Sequence, residues 1–304
     1  MSEVRDTIGF IGLGNMGSPM TRRLVDAGYA VRAFDVSPGA RARARAAGAT
    51  EVDSAPGAAD GARVVILMLP NSAIVSSVID ELIVGGTLRP GAVVVDMSSS
   101  EPLATRTVAD RLATAGARMV DAPVSGGVKG AVNGTLTIMT GGDEPTVRLV
   151  QPILDSLGRT VHAGPVGAGH AVKALNNLLS ATHLWVTSEA MEAGVRFGIE
   201  PSILLAIFNG SSGRSGSTEN KWPNFILPET YDSGFGLSLM LKDMKIATQL
   251  ARDTGAPSTL GENAVALWAA AAEGLGPGAD HTEVARWIRG GSHGGDGGDR
   301  EIGR

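Results

Sequence analysis

Lys173 and Asn177 stand one helical turn apart in "GAGHAVKALNN", residues 167–177, with Asn176 beside them. Between Arg159 and Glu189 there is no other Asp, Glu, Lys or Arg. From Gly169 onward the stretch has helical spacing, with apolar residues at Val172, Leu175, Leu178, Leu179, Trp185 and Val186. Residues i and i+4 share one face of a helix. A lysine withdrawn from water there can lose its proton near neutral pH and exchange it with a substrate oxygen, while an amide one turn on orients the substrate. The same lysine can instead lay its stem along apolar neighbours and keep its ammonium in water. On this segment alone both readings stand.

A second constellation lies near the N-terminus. "GFIGLGNMG" carries Gly12, Gly14 and Gly17 in GxGxxG spacing, with Leu13, Asn15 and Met16 between them. It follows a β-type run and precedes a helical one. In that setting the first glycine permits a tight turn, the second lets the backbone approach a pyrophosphate, and the third lets helix pack on strand. Dinucleotide binding follows. Asp35 in "FDVSP" ends the next β run, where a carboxylate can accept hydrogen bonds from a ribose diol; Ser37 and Pro38 also allow a plain turn.

The elements that must position these groups alternate along the first half of the chain. "TIGFIGL", "AVRAFDV", "ARVVILML", "GAVVVDM" and "ARMVDAP" are short apolar runs separated by amphipathic segments, the pattern of a parallel sheet covered on both faces. The expected architecture is α/β, a Rossmann-type doubly wound parallel sheet over residues 1–165, followed by an all-α domain over 166–290. Helices are expected at 169–197, after Pro201, and around "LMLKDMKIATQLARDTG", "LGENAVALWAAAAEG" and "DHTEVARWIRG". Residues 291–304 are glycine and charge with almost nothing to bury, and are expected to be disordered.

Composition narrows the class. A chain of 304 residues with 43% hydrophobic content fits two globular domains. A net charge of −5 without a long basic run argues against nucleic acid. There are no cysteines, and the five histidines lack metal-ligand spacing, so no metal is expected. The N-terminus does not read as a signal peptide, and the run "VVILMLP" is far too short to span a bilayer. A cytoplasmic protein without membrane association is expected.

With these pieces together, the chain resembles the β-hydroxyacid dehydrogenase family, the group that includes 3-hydroxyisobutyrate dehydrogenase and tartronate semialdehyde reductase. The resemblance covers roughly residues 7–290 through five ordered motifs: "GFIGLGNMG", "MLP" at 68–70, "DAPVSGGVKGAVNGTLTIMTGG" at 121–142, "GAGHAVKALNN", and "LMLKDMKIA" at 239–247. It implies that Lys173 is the general acid/base and that Asn177 holds the substrate. It implies further that Ser125, Gly126 and Gly127 cradle a carboxylate, through a hydroxyl and backbone N–H groups with no Cβ in the way. Leu69, Pro70 and Ile74 would line the cofactor, Ser99 would lie beside the nicotinamide, and Lys242 would reach the cofactor from the helical domain. Many relatives have threonine where this chain has Ser99; the hydroxyl is retained. Lys242 and Asp243 also fit an exposed charge pair. Arg214, in the diverging segment 209–225, suits a substrate anion or a plain connecting loop equally.

The implied activity is NAD-dependent oxidation of a small hydroxy acid, such as 3-hydroxyisobutyrate or a related 3-hydroxy acid, or the reverse reduction of its semialdehyde. NAD is preferred over NADP because Asp35 would oppose a 2′-phosphate, and Val36 and Ser37 carry no charge to meet one; the opposite reading is that Arg32, Arg41, Arg43 or Arg45 swings in to meet the phosphate. Alternatives are a tartronate semialdehyde reductase or an imine reductase using NADPH, although imine reductases replace the catalytic lysine. A non-catalytic nicotinamide-binding scaffold is the alternative of another class. By resemblance the chain forms a homodimer or homotetramer.

Overall fold

The computed structural model describes residues 7–291, in two compact units. The first joins residues 7–177 to Asp243–Ser258; the second joins Leu178–Lys242 to residues 259–291. Two of the passages between them fall inside helices, at 177/178 and 242/243. The tail expected to be disordered lies, from residue 292 on, outside the described residues.

The first unit opens with alternating strands and helices: β1 (Thr7–Ile11), α1 (Gly17–Asp26), β2 (Ala30–Phe34), α2 (Pro38–Ala46), β3 (Thr50–Glu51), α3 (Ala55–Ala59), β4 (Val64–Leu67), α4 (Ser72–Val84), β5 (Val93–Asp96), α5 (Pro102–Thr114) and β6 (Arg118–Asp121). These six strands pair in parallel in the order β3-β2-β1-β4-β5-β6. The order reverses between β1 and β4, and a ligand crevice in such a sheet opens at that reversal, beyond the carboxyl ends of the strands.

Successive strand residues serve opposite faces. Val64, Ile66, Val93 and Val95 join Ile8, Phe10, Met20 and Leu24 in one apolar cluster, whereas Val65, Leu67 and Val94 join Ile11, Ala58, Val75 and Ile79 in another. A sheet buried on both sides has no polar positions to spare, which is why these strands read as continuous apolar runs. Each such side chain contributes about 1.5–3 kcal/mol by leaving water.

The far edge departs from an all-parallel sheet. It is built from β7 (Val124–Ser125), α6 (Gly127–Asn133), β8 (Leu136–Gly141), α7 (Glu144–Leu154) and β9 (Gly158–Gly164). β8 runs antiparallel to β6 and β7, and β9 runs parallel to β8. The short return through β7 and α6 reverses the chain, which a long crossover helix would not do.

A 29-residue helix, α8 (Ala168–Arg196), then leaves the sheet and passes into the second unit. That unit continues with α9 (Pro201–Asn209), a π-helical segment (Ser217–Ile226), the start of α10 (Leu237–Thr254), α11 (Thr259–Leu275), a 3-10 turn (His281–Glu283) and α12 (Val284–Arg289). Its core holds Trp185 of α8 against Trp268 of α11, ring centroids 6.3 Å apart. α8 and α9 pack closely at Gly194, where a Cβ would come within 2.6 Å of Leu204 Cδ1. The π-helical segment is absent from the helices expected by sequence. Pro223 inside it removes a backbone donor, and its wider turn does not follow the 3.6-residue period.

Among the described residues, no helix is long and apolar enough to cross a membrane, and no group of three or more His, Cys, Asp or Glu is arranged to hold a metal ion.

Candidate active site

The glycine turn between β1 and α1 is shaped by close backbone approach. Gly12 has φ +99°, and a Cβ there would lie 2.3 Å from the Met68 carbonyl oxygen. At Gly17 a Cβ would strike the Gly12 carbonyl oxygen. Gly14 differs: it is exposed, and a Cβ there would meet nothing within 4 Å. The space over Gly14 is thus left clear by the protein itself. Asn15 is exposed beside it, while Leu13 is fully buried. Met16, at the start of α1, makes no side-chain cap, whereas α2, α3, α4 and α7 are capped by Ser37, Ser54, Asn71 and Asp143. An uncapped helix start facing a clear glycine turn suits a pyrophosphate, so the residues present fit a dinucleotide.

Asp35 follows β2. Its Oδ2 accepts from the Leu13 N–H at 2.6 Å and its Oδ1 from the Ser37 N–H at 2.8 Å. Each oxygen keeps a further lone pair for a ribose hydroxyl. Three of the neighbouring arginines have partners: Arg41 and Arg45 both pair with Glu51, at 3.2 and 2.7 Å, and Arg32 donates to the Asp60 carbonyl at 2.8 Å.

Leu69 and Pro70 follow β4, and Ile74 stands partly exposed in the first turn of α4. The Leu69 N–H donates to Ser98 Oγ at 2.9 Å, so this segment is tied to the loop after β5 that carries Ser99. Asp96, fully buried at the end of β5, holds that loop by accepting from the Ser98 N–H at 3.0 Å and the Ser100 hydroxyl at 2.9 Å. Ser125 ends β7, and Gly126 (φ +123°) and Gly127 (φ +60°) turn the chain into α6 in backbone shapes that side chains resist.

The start of α8 is fixed from the sheet. Asp121, fully buried at the end of β6, accepts from the Gly167 N–H at 2.7 Å and the His170 N–H at 2.9 Å. Gly169 makes this approach possible, because a Cβ there would lie 2.2 Å from the Met139 carbonyl oxygen. One turn on, Lys173 is only 7% exposed, whereas Val172, Leu175 and Leu179 are 42%, 43% and 59% exposed. The lysine faces inward and part of the apolar stripe faces out, the reverse of a lysine reaching for water along an apolar core face. Asn177 is buried on the same side and donates from Nδ2 to Asp243 Oδ2 at 2.6 Å. Asp243 is 2% exposed, so it is not part of an exposed charge pair.

The first unit therefore holds the glycine turn, Asp35, Leu69, Pro70, Ile74, Ser99, Ser125, Gly126, Gly127, Lys173 and Asn177. Lys242 and Arg214 belong to the second unit. There Arg214 pairs with Glu219 at 2.7 Å, both side chains largely exposed. Sequence reasoning passed over Asp96, Asp121, His170 and the Asn177–Asp243 pair. A carboxylate closing an apolar strand, as in "VVVDM" and "MVDAP", was the available signal for the first two.

Comparison with known proteins identifies the family. Residues 7–167 match a family model described as the NAD binding domain of 6-phosphogluconate dehydrogenase. Residues 167–288 match one described as NAD-binding of NADP-dependent 3-hydroxyisobutyrate dehydrogenase. The chain is 40% identical to the 2-(hydroxymethyl)glutarate dehydrogenase of Eubacterium barkeri, over 82% of this chain and 84% of that one. It is 39% identical to the NAD-dependent L-serine dehydrogenase of Pseudomonas aeruginosa, over 86% and 90%. A solved structure of Mycobacterium tuberculosis 3-hydroxyisobutyrate dehydrogenase with L-serine superimposes with a TM-score of 0.89 at 35% identity, covering 93% of this chain and 99% of that one. On its motifs, its fold and these relatives, the chain belongs to the β-hydroxyacid dehydrogenase family and is an NAD-dependent oxidoreductase of hydroxy acids.

Proposed function

We propose that the substrate is a small 3-hydroxy acid whose hydroxymethyl group sits on the carbon next to a carboxylate, oxidised to the corresponding semialdehyde or formed from it. 3-Hydroxyisobutyrate, L-serine and 2-(hydroxymethyl)glutarate, the compounds in the relatives' names, all contain this unit. The observation that carries the reading is the inward-facing Lys173, nearly excluded from water, with Asn177 one turn beyond it on the same face.

Lys173, as the free amine, takes the hydroxyl proton while the carbinol carbon loses its hydrogen with both electrons; in the reverse direction the ammonium returns that proton to the new alkoxide oxygen. Bound NAD supplies the acceptor for that hydride. Ser125 Oγ and the N–H groups of Gly126 and Gly127 hold the carboxylate, and Asn177 orients the reacting end. The glycine turn, Asp35, Leu69, Pro70, Ile74 and Ser99 line the dinucleotide, and Lys242 is a further candidate for binding it. Arg214 remains a candidate for a further anionic group on the substrate.

A homodimer or homotetramer is part of this proposal. Leu179 and Val186 of α8 and Ile203 and Ile207 of α9 are 59%, 54%, 51% and 57% exposed, an apolar surface suited to a second copy. Cytoplasmic residence is also proposed, since a chain without cysteines fits a reducing compartment.

The test is NADH formation with 3-hydroxyisobutyrate, L-serine, 2-(hydroxymethyl)glutarate, glycerate, 3-hydroxypropionate and threonate. Turnover confined to threonate, the one acid of the six without a hydroxymethyl group on the carbon next to its carboxylate, would overturn the substrate class.

A further inference from the structure

His170 is buried at 1% exposure, three residues before Lys173 on α8. Its Nε2 lies 3.1 Å from the Ser98 carbonyl oxygen, and its Nδ1 lies 2.8 Å from Thr105 Oγ1 on α5. A carbonyl oxygen only accepts, so the ring donates from Nε2 and the threonine hydroxyl meets the other nitrogen. The Asp96 and Asp121 carboxylates flank the ring at 3.7 and 3.9 Å. These two aspartates are register partners on adjacent strands, β5 and β6.

Ser98 is where this network meets the cofactor side. Its N–H is held by Asp96, its hydroxyl accepts from the Leu69 N–H, and its carbonyl accepts from His170. One imidazole thus couples the Leu69 segment, the Ser98–Ser99 loop and the first turn of the helix that carries Lys173. A shift of that turn is transmitted to Lys173 through the helix backbone.

We propose that His170 is a positioning residue for hydride transfer, setting the separation between the proton-transferring Lys173 and the Ser98–Ser99 wall that faces the nicotinamide. The proposal rests on the roles assigned above to Lys173 and Ser99. Displacement of a reacting group by about 1 Å costs on the order of 100-fold in rate. A histidine serving only to fill the core would affect stability and leave the chemistry of the folded enzyme unchanged.

The experiment compares His170→Leu, His170→Gln, Thr105→Val and Lys173→Met with the wild type. It measures kcat, KM for the acid, NADH affinity, and the primary isotope effect with substrate deuterated at the carbinol carbon. His170→Leu is expected to lower kcat about 10- to 100-fold, with NADH affinity and KM little changed and the isotope effect increased as hydride transfer comes to limit turnover. His170→Gln, which restores an amide donor toward the Ser98 carbonyl, is expected to recover most of the loss. Thr105→Val should cause a smaller loss with the same isotope signature.

A folded His170→Leu enzyme with wild-type kcat, or a loss in it with an unchanged isotope effect, overturns the proposal. If His170→Leu does not fold, Thr105→Val decides: a wild-type isotope effect there overturns the proposal, and a raised effect supports it. Lys173→Met separates the two levels. Undiminished turnover in that variant refutes the base assignment on which the proposal rests, whereas a dead Lys173→Met beside a fully active His170→Leu refutes only the positioning role.

Discussion

The Asn177 amide donates to the Asp243 carboxylate across a sequence separation of 66 residues, at 2.6 Å and almost out of contact with water. A carboxylate only accepts, so this bond fixes which end of the amide is NH₂ and leaves its second hydrogen to be directed at a ligand. Asp243→Asn removes the certainty of that orientation. The expected outcome is a fall in kcat/KM for the acid of about 10- to 100-fold, the range of a lost charge-assisted hydrogen bond, with NADH affinity little changed. Steady-state kinetics beside NADH titration checks it, and an unchanged kcat/KM would exclude an orienting role for Asp243.

Lys173→Met keeps the aliphatic stem and removes the amine. General acid/base catalysis is worth about 10²- to 10⁴-fold, so kcat should fall within that range while NADH still binds. Retained turnover would return Lys173 to a packing role.

Gly14→Ala isolates the dinucleotide from the fold. The new Cβ meets no protein atom within 4 Å, so Tm should hold, and any penalty must come from what occupies the space above. NADH affinity is expected to fall by at least about tenfold, because a side chain there blocks close backbone approach to the pyrophosphate. The same substitution at Gly12 should instead destabilise the first unit, since φ +99° and the Met68 carbonyl both oppose it. Equal NADH affinity in Gly14→Ala and wild type would contradict the cradle.

Asp35 should favour NAD over NADP by more than roughly tenfold, because a 2′-phosphate sets about two negative charges against it. Arg41 and Arg45 are committed to Glu51, which opposes their turning to a phosphate. Asp35→Ser is expected to narrow the gap, chiefly by improving NADP. Equal use of both cofactors by the wild type would assign specificity to the arginines.

In the second unit, Lys221 donates to Ser180 Oγ at 2.7 Å, and burial pushes its ammonium down to about 8, against the opposing attraction of Asp280. The ordinary value is 10.5, so between pH 8 and 10.5 the unfolded chain binds more protons at this site than the folded one. The sign follows: the cost of a charged Lys221 is fully present below pH 8 and is relieved as pH rises toward 10.5. Wild-type Tm should therefore gain on that of Lys221→Met between pH 7.5 and 9.5. A constant difference would mean that Lys221 titrates normally.

The sequence by itself determined the parallel sheet, the glycine turn and the dinucleotide, because each depends on spacing within a few residues: apolar strand runs, glycines two and three apart, a carboxylate at the next strand end. It also put Lys173 and Asn177 on one helical face. Which way that face points was not legible, since a lone lysine among Val172, Leu175 and Leu179 satisfies the same periodicity whether it faces water or the interior. The direction is decided by Asp121, which holds the start of α8 from 46 and 49 residues away, and by Asp243. The antiparallel β8 and the π-helical segment at Ser217–Ile226 were hidden for a related reason: a reversed edge strand and a widened turn leave no distinct hydrophobic period. His170, Ser98 and Thr105 lie 65 and 72 residues apart in the two bonds that join them, so only the order of the strands, which brings the ends of β5 and β6 side by side, could unite them under Lys173.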